Sequence, residues 1–365
     1  MVMTTFEIGQ YRLFNQGVTE AQFEHSGQVV AHLGAVQAQD YSGSLWAIGL
    51  RMKAGTTQAL IEQSIVNRTI VRTWPMRGTL HFVAAADVRW LLKLLTPRII
   101  SASAARQRAL QIDAQVLVRS QNLIVQALEG GKQLTRPQLY QILEQGNIIP
   151  TGQRGIHILG RLAQEGVLCL GSHHDKQPTF VLLDEWVSPV LTKTLERDEA
   201  LAELAKRYFI GHGPATLPDL ERWAGLKTSD ARAGLEMVKS HLRREEVDGQ
   251  IYWLAQKEPL LPANSPAVSA RIHLLPGFDE YILGYKERSA VLDPQHFQKV
   301  VPGGNGVFMP TMVSNNGRVV GLWKRTLKKD KLLISPVPFD ALSEVETAAF
   351  ATAGLRYGEF MGMPV

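Results

Sequence analysis

Gln37 and Gln39 lie two residues apart in Val36-Gln37-Ala38-Gln39-Asp40-Tyr41, and the paired carboxamides set the first question of chemistry. A glutamine amide offers an acceptor oxygen and two N–H donors but takes up no proton near neutral pH, so it makes a poor general base. Two such groups can orient a water molecule and present partial negative charge to a cation developing in a transition state. That chemistry needs a leaving group already activated before it meets the protein. Residues i and i+2 do not share a face of a regular α-helix, so both amides reach one opening only if the apolar helix predicted over residues 27–38 ends at the motif, before Gly43. The plain alternative is a polar helix end whose amides satisfy loose backbone carbonyls.

Other reaction centres are missing from the sequence. It has no Gly-x-Ser-x-Gly elbow, no His-Glu-x-x-His, no phosphate loop ending in Gly-Lys-Ser/Thr and no Gly-x-Gly-x-x-Gly opening an early helix, which disfavours ordinary hydrolases and nucleotide enzymes. Cys169 is the single cysteine, so an intramolecular disulfide and any multi-cysteine metal site are excluded; in an apolar strand it reads as a small core residue. His173, His174 and Asp175 adjoin at a polar wing tip with Lys176 and read as a solvated turn rather than a ligand set. No metal and no organic cofactor is implied.

The elements that must hold these residues repeat a pattern of helices followed by a short strand pair, the signature of a winged helix. In the first instance helices over 8–15, 27–38, 44–52 and 56–67 lead into a hairpin, 69–74 and 78–83, turning at Pro75-Met76-Arg77. The second has helices over 114–128, 134–144 and 151–165, then strands 167–170 and 179–183. The third has helices over 197–209, 217–223 and 228–240, then strands 243–247 and 251–255 around Asp248-Gly249, a strong tight-turn signal. A proline-rich linker at 259–267 leads to strands over 271–274, 307–313, 318–323 and 331–334 and a closing helix over 340–361. The fold class expected is α+β and helix-rich, with three tandem winged helix-turn-helix modules at 1–96, 97–190 and 191–258 and a β-rich segment at 268–365.

With 45% hydrophobic and 20% charged residues in a chain of 365, the composition is that of a folded protein with ample core. No apolar run approaches the roughly 18 residues that cross a bilayer, and Met1 to Gln10 carries no export signal, so a cytoplasmic protein without a membrane partner is expected. The net charge of +5 is modest, but ten basic residues against three acidic ones lie between Arg89 and Arg161, and six against one between Arg318 and Lys331. Clustered charge is what a phosphate-tracking surface requires, although solvated helix faces and a lysine-rich edge strand produce it too.

Three local clusters, Val36 to Tyr41, Arg72 to Phe82 and Leu275 to Arg288, occur in an order that resembles the AlkZ-like family of winged-helix DNA glycosylases, which carries a Gln-x-Gln or Gln-x-Asp motif in its first module. The resemblance spans nearly the whole chain. It implies a C-shaped, positively charged concavity for double-stranded DNA containing alkylated bases, a probing β-hairpin, and hydrolysis of the N-glycosidic bond of N7-alkylguanine or N3-alkyladenine. Alkylation supplies the activated leaving group, so Gln37 and Gln39 are expected to position water and stabilise the sugar cation, and with no lysine required the enzyme would be monofunctional. Glutamine at the second position places the chain with the branch that unhooks bulky adducts and interstrand crosslinks. Asp40, Tyr41, Trp46, Arg77, Thr79 and His81 are candidate cleft-lining residues beside the pair, with a core role as the alternative for Tyr41, Trp46 and His81. For the probing hairpin, Ser314, Asn315, Asn316, Gly317 and Arg318 are the candidates, with Lys324, Arg325, Lys328 and Lys329 as phosphate contacts. A monomer is expected. The alternatives are a non-catalytic winged-helix DNA-binding protein, such as a transcriptional regulator, and a scaffold with no nucleic-acid role.

Overall fold

The computed structural model describes residues 3–175, 177–256, 271–304 and 306–365. Lys176 and the linker expected at 259–267 lie outside the described residues. The chain forms two compact units, one made of Met1–Ile61 with Leu201–Val365 and the other of Glu62–Ala200.

In the unit Glu62–Ala200, strands Ile70–Met76 and Thr79–Ala84 form one antiparallel hairpin and Leu168–His174 and Gln177–Leu182 another. The two hairpins join edge to edge where Arg72 opposes Leu170, and Leu134–Thr135 adds to the far side of Gln177–Leu182. The hairpin expected with residues 1–96 therefore shares a sheet with the one expected in 97–190. Beside the sheet lie helices Ala114–Leu128, Arg136–Gln145 and Arg154–Gln164. Their starts follow from the sequence: the Asp113 side chain accepts the Val116 N–H, and Thr135 with Gln138 closes a capping box just ahead of Pro137. Ile124, Leu128, Leu139, Leu143, Ile158, Leu162, Leu168 and Phe180 interlock as the core, removing apolar surface from water on the inner faces of these three helices.

In the other unit, helices Thr5–Asn15, Ser26–Leu33 and Tyr41–Gly49 come from the N-terminal part. Helices Leu217–Ala224 and Thr228–Val238 are followed by the hairpin Leu242–Val247 and Gln250–Ala255, which turns at Asp248 and Gly249, both at positive φ as a tight hairpin requires. An antiparallel sheet runs in the order Leu332–Pro338, Val319–Leu327, Thr311–Ser314, Ile272–Leu275. Helix Glu344–Met361 packs on it through Tyr357, whose ring meets those of Trp46 and Trp323 edge-on at 5.0 and 5.1 Å.

Several expected boundaries change, and the hairpin expected to turn at Pro75-Met76-Arg77 turns at Arg77-Gly78. The helix predicted over 27–38 stops at Leu33, because Gly34 takes φ +78 and the chain continues as the short strand Val36–Gln37; Gly43, expected as the breaker, lies inside the next helix. The strand expected over 307–313 begins only at Thr311, after Pro310, whose ring removes a ladder donor.

Candidate active site

The glutamine motif therefore lies between two helices, with Gln37 closing the short strand Val36–Gln37 and Gln39 in the bend just before Asp40, the cap of helix Tyr41–Gly49. Gln37 is 7% exposed, and its Oε1 is buried with no hydrogen-bond partner; Gln39 is exposed. A buried acceptor without a donor costs roughly 1–3 kcal/mol, which a fold tolerates where a ligand or a water supplies the missing bond. Asp40 caps helix Tyr41–Gly49 by accepting the Gly43 N–H at 3.2 Å and remains exposed beside Gln39, while Tyr41 opens that helix half-buried.

Beneath the motif is a layer of buried polar groups. The Gln37 backbone N–H donates to Glu280 Oε1 at 3.2 Å, Trp223 Nε1–H donates to Glu280 Oε2 at 2.8 Å, and His212 Nε2 is 3.4 Å from that same oxygen. Next to it Asp279 caps helix Glu280–Leu283 and receives a two-pronged bond from Arg51, at 2.8 and 2.9 Å. The rest of the Arg51 guanidinium is held by Gln16 Oε1, Gln16 O and Ala47 O. Arg12 lies over the Tyr285 ring, its Cζ 3.6 Å from the centroid, with Asp219 4.0 Å from its guanidinium. Glu280, Asp279, Arg51, His212 and Trp223 were not singled out from the sequence as site residues. The run Leu275 to Arg288 marked the segment carrying Asp279 and Glu280, but no local spacing ties it to a strand some 240 residues earlier.

Trp46 is corrected from the cleft to the core. Its ring is 2% exposed, packs on Tyr357 and Phe360, and donates Nε1–H to Leu274 O at 2.7 Å, leaving no face for stacking on a base. Arg77, Thr79 and His81 belong to the unit Glu62–Ala200, where they bond to one another. The His81 Nδ1 lies 2.9 Å from Thr79 O and its Nε2 lies 3.1 Å from Arg77 Nη2, so the carbonyl takes the ring N–H and Nε2 accepts from the guanidinium. His81 is fully buried, which fits its alternative core role.

The hairpin tip expected to probe DNA is corrected as well. Gly317 lies against Gly9 of helix Thr5–Asn15, so closely that a Cβ there would stand 2.3 Å from the Gly9 carbonyl carbon. The Tyr281 hydroxyl sits between Gly317 O and Gly9 O, at 2.5 and 3.2 Å. Arg318 turns back to donate to Ser289 O and Ala290 O, and Asn316 Oδ1 bonds within the turn to the Ser314 hydroxyl and the Arg318 N–H. Ser314 to Arg318 is thus a docked turn. The long hairpin Val319–Leu327 and Leu332–Pro338 does carry exposed charge, with Lys324 on its strand and Lys328, Lys329 and Lys331 at its tip. Arg325 is half-buried and bonds the Tyr357 hydroxyl.

Among the described residues no group of three or more His, Cys, Asp or Glu side chains is placed to hold a metal ion, and no helix is long and apolar enough to cross a membrane. Burial pushes the Cys169 thiol well above its usual range, away from nucleophile chemistry.

The two amides, one on a strand and one in the bend after it, lie over a buried carboxylate in a mixed helix and sheet protein. The family model for DNA glycosylase AlkZ-like proteins matches residues 30–360, and the chain belongs to that family. It is 27% identical over 342 residues, 91% of its length, to the interstrand DNA cross-link repair glycosylase of Streptomyces sahachiroi, covering 90% of that protein. It is also similar to the solved structure of Streptomyces sahachiroi DNA glycosylase AlkZ, at a TM-score of 0.81 and 26% identity over 100% of this chain and 99% of that one.

Proposed function

We propose that this DNA glycosylase hydrolyses the N-glycosidic bond of N7-alkylguanine or N3-alkyladenine in duplex DNA, with Gln37 and Gln39 as its catalytic residues. The observation that carries the reading is the unpartnered Oε1 of Gln37 on extended backbone beside exposed Gln39. Alkylation leaves the purine cationic, so the bond needs no acid catalyst. What remains is to steady the sugar as positive charge passes to C1′ and to aim a water at that carbon. Two amide oxygens do both by dipole alone, and dipoles already held in place need no reorganisation as the charge develops. No lysine takes part, so the product is an abasic site with an intact strand.

Bulky adducts and interstrand crosslinks fall within this proposal, supported by the name of the Streptomyces relative and by the glutamine at the second motif position. A crosslinked base cannot rotate fully into an enclosed pocket, so it must be attacked in an open cleft. Three winged-helix modules are the proposed framework, the enzyme acts as a monomer, and Lys324, Lys328 and Lys329 track phosphates. The test is a duplex with one N7-methylguanine, incubated with the enzyme and split into two aliquots. Strand breaks after hot alkali but not before it support a monofunctional glycosylase; breaks in both show a lyase, and breaks in neither above the protein-free control leave a DNA-binding protein.

A further inference from the structure

The two amides are neutral, yet a full carboxylate lies directly beneath the strand ending at Gln37 and has no part in the chemistry just described. Glu280 is 1% exposed, and each of its oxygens takes an N–H, Oε1 from the Gln37 backbone and Oε2 from the Trp223 indole. An acceptor-only carboxylate is the form that suits two such donors. His212 Nε2 lies 3.4 Å from Oε2, while the two guanidinium groups of the layer have other partners, Arg51 in a two-pronged bond to Asp279 and Arg12 with both Asp219 and the Tyr285 ring. Burying a charge is expensive, and an apolar residue of similar size commonly serves packing as well or better.

Resting on the reading of Gln37 and Gln39 as the reacting pair, we propose that Glu280 is a positioning residue that fixes the Gln37 backbone and supplies the negative field stabilising the sugar cation through the amide strand. During cleavage the C1′–N bond breaks, its electron pair goes to the alkylated base, and the positive charge passes to the sugar, nearer the carboxylate. Water then forms the new C1′–O bond and loses its proton to solvent. Glu280 exchanges no proton and forms no bond; its charge acts at a distance. Over about 8–10 Å at an effective dielectric of about 20, a unit charge favours a cationic sugar over a neutral one by roughly 15- to 30-fold. In excision the charge only moves from base to sugar, so with the base about 12 Å away the rate gains the difference, roughly 2- to 3-fold.

The test compares binding of two otherwise identical duplexes, one with a cationic pyrrolidine in place of the sugar and one with neutral tetrahydrofuran. The wild-type enzyme should hold the cationic duplex about tenfold or more tighter. In Glu280→Gln that preference should collapse towards unity and single-turnover excision of N7-methylguanine should fall by only about 2- to 3-fold, with tetrahydrofuran binding unchanged. Trp223→Phe removes a hydrogen bond from the same carboxylate but keeps its charge, so it should retain the cation preference; a purely structural role predicts equal effects of the two changes. Should Glu280→Gln fail to fold, pairing it with Trp223→Phe removes the indole N–H that the new amide NH2 would face, and the wild-type preference is still measurable. A folded Glu280→Gln enzyme that keeps the preference, or a wild type without one, overturns the proposal while Gln37→Ala and Gln39→Ala still lose excision. If those two glutamine variants keep wild-type excision, the reading of the site itself fails.

Discussion

Arg51→Met tests the buried layer that sets the height of the glutamine strand. Methionine keeps an apolar stem of similar reach but deletes the guanidinium, and with it five hydrogen bonds, to Asp279 twice, Gln16 twice and Ala47 once. Arg51 and Asp279 are 0% and 1% exposed at their side chains, so water does not replace those bonds. Removing one partner of a buried ion pair leaves the other charge stranded, at a cost of about 3–5 kcal/mol. At about 2–4 °C per kcal/mol for a domain of this size, the melting temperature should fall by roughly 6–20 °C. Melts followed by circular dichroism measure it, and Asp279→Asn added to Arg51→Met should recover part of the loss, because the stranded charge is then gone. Excision measured below the variant's melting range should also drop, since Asp279 caps the turn that carries Glu280. A melting temperature within about 2 °C of wild type would refute the assignment of this ion pair as the clamp of the layer.

Gly317→Ala should destabilise the protein by about 2 kcal/mol or more in urea titrations, since Gly317 has φ +83 and the added Cβ meets Gly9 backbone; an unchanged midpoint would mean the turn is not docked. Lys328→Ala with Lys329→Ala should lower the slope of log affinity against log salt by about two units on undamaged and damaged duplexes alike; an unchanged slope removes this hairpin tip from the DNA interface. Burial, with the nearby charges of Arg356 and Arg271, depresses the His273 pKa to about 4. Its unfolded value is about 6.5, so between those two pH values the unfolded chain binds the extra proton and stability falls as pH falls, by about 3 kcal/mol across the window. His273→Gln should flatten that dependence in urea midpoints taken at pH 7 and 4.5, and an equally steep loss in the variant would assign it to other groups.

Much of the local architecture was legible because its signals are local. Helix Ala114–Leu128 follows its apolar periodicity and Asp113 cap, and the hairpin after Val247 follows from Asp248-Gly249. Gln37 and Gln39 stood out by residue type, but the strand ending at Gln37 did not, because Gly34 ends the helix inside an apolar run that reads as continuous. The failures share one cause, contact at long range. Nothing near Gly317 announces that Gly9 will receive it, nothing near Trp46 announces Leu274, and nothing near Gln37 announces Glu280. A polar hairpin tip and an aromatic beside a motif look the same in sequence whether they face solvent or the core.

Single-turnover release of 7-methylguanine from a duplex, followed by chromatography at saturating enzyme, bears most directly on the role of the amide pair. Gln37→Ala and Gln39→Ala should each slow release by about 100-fold or more while duplex affinity stays within about threefold of wild type. Release at the wild-type rate by either folded variant would contradict the assignment of that glutamine to the reaction.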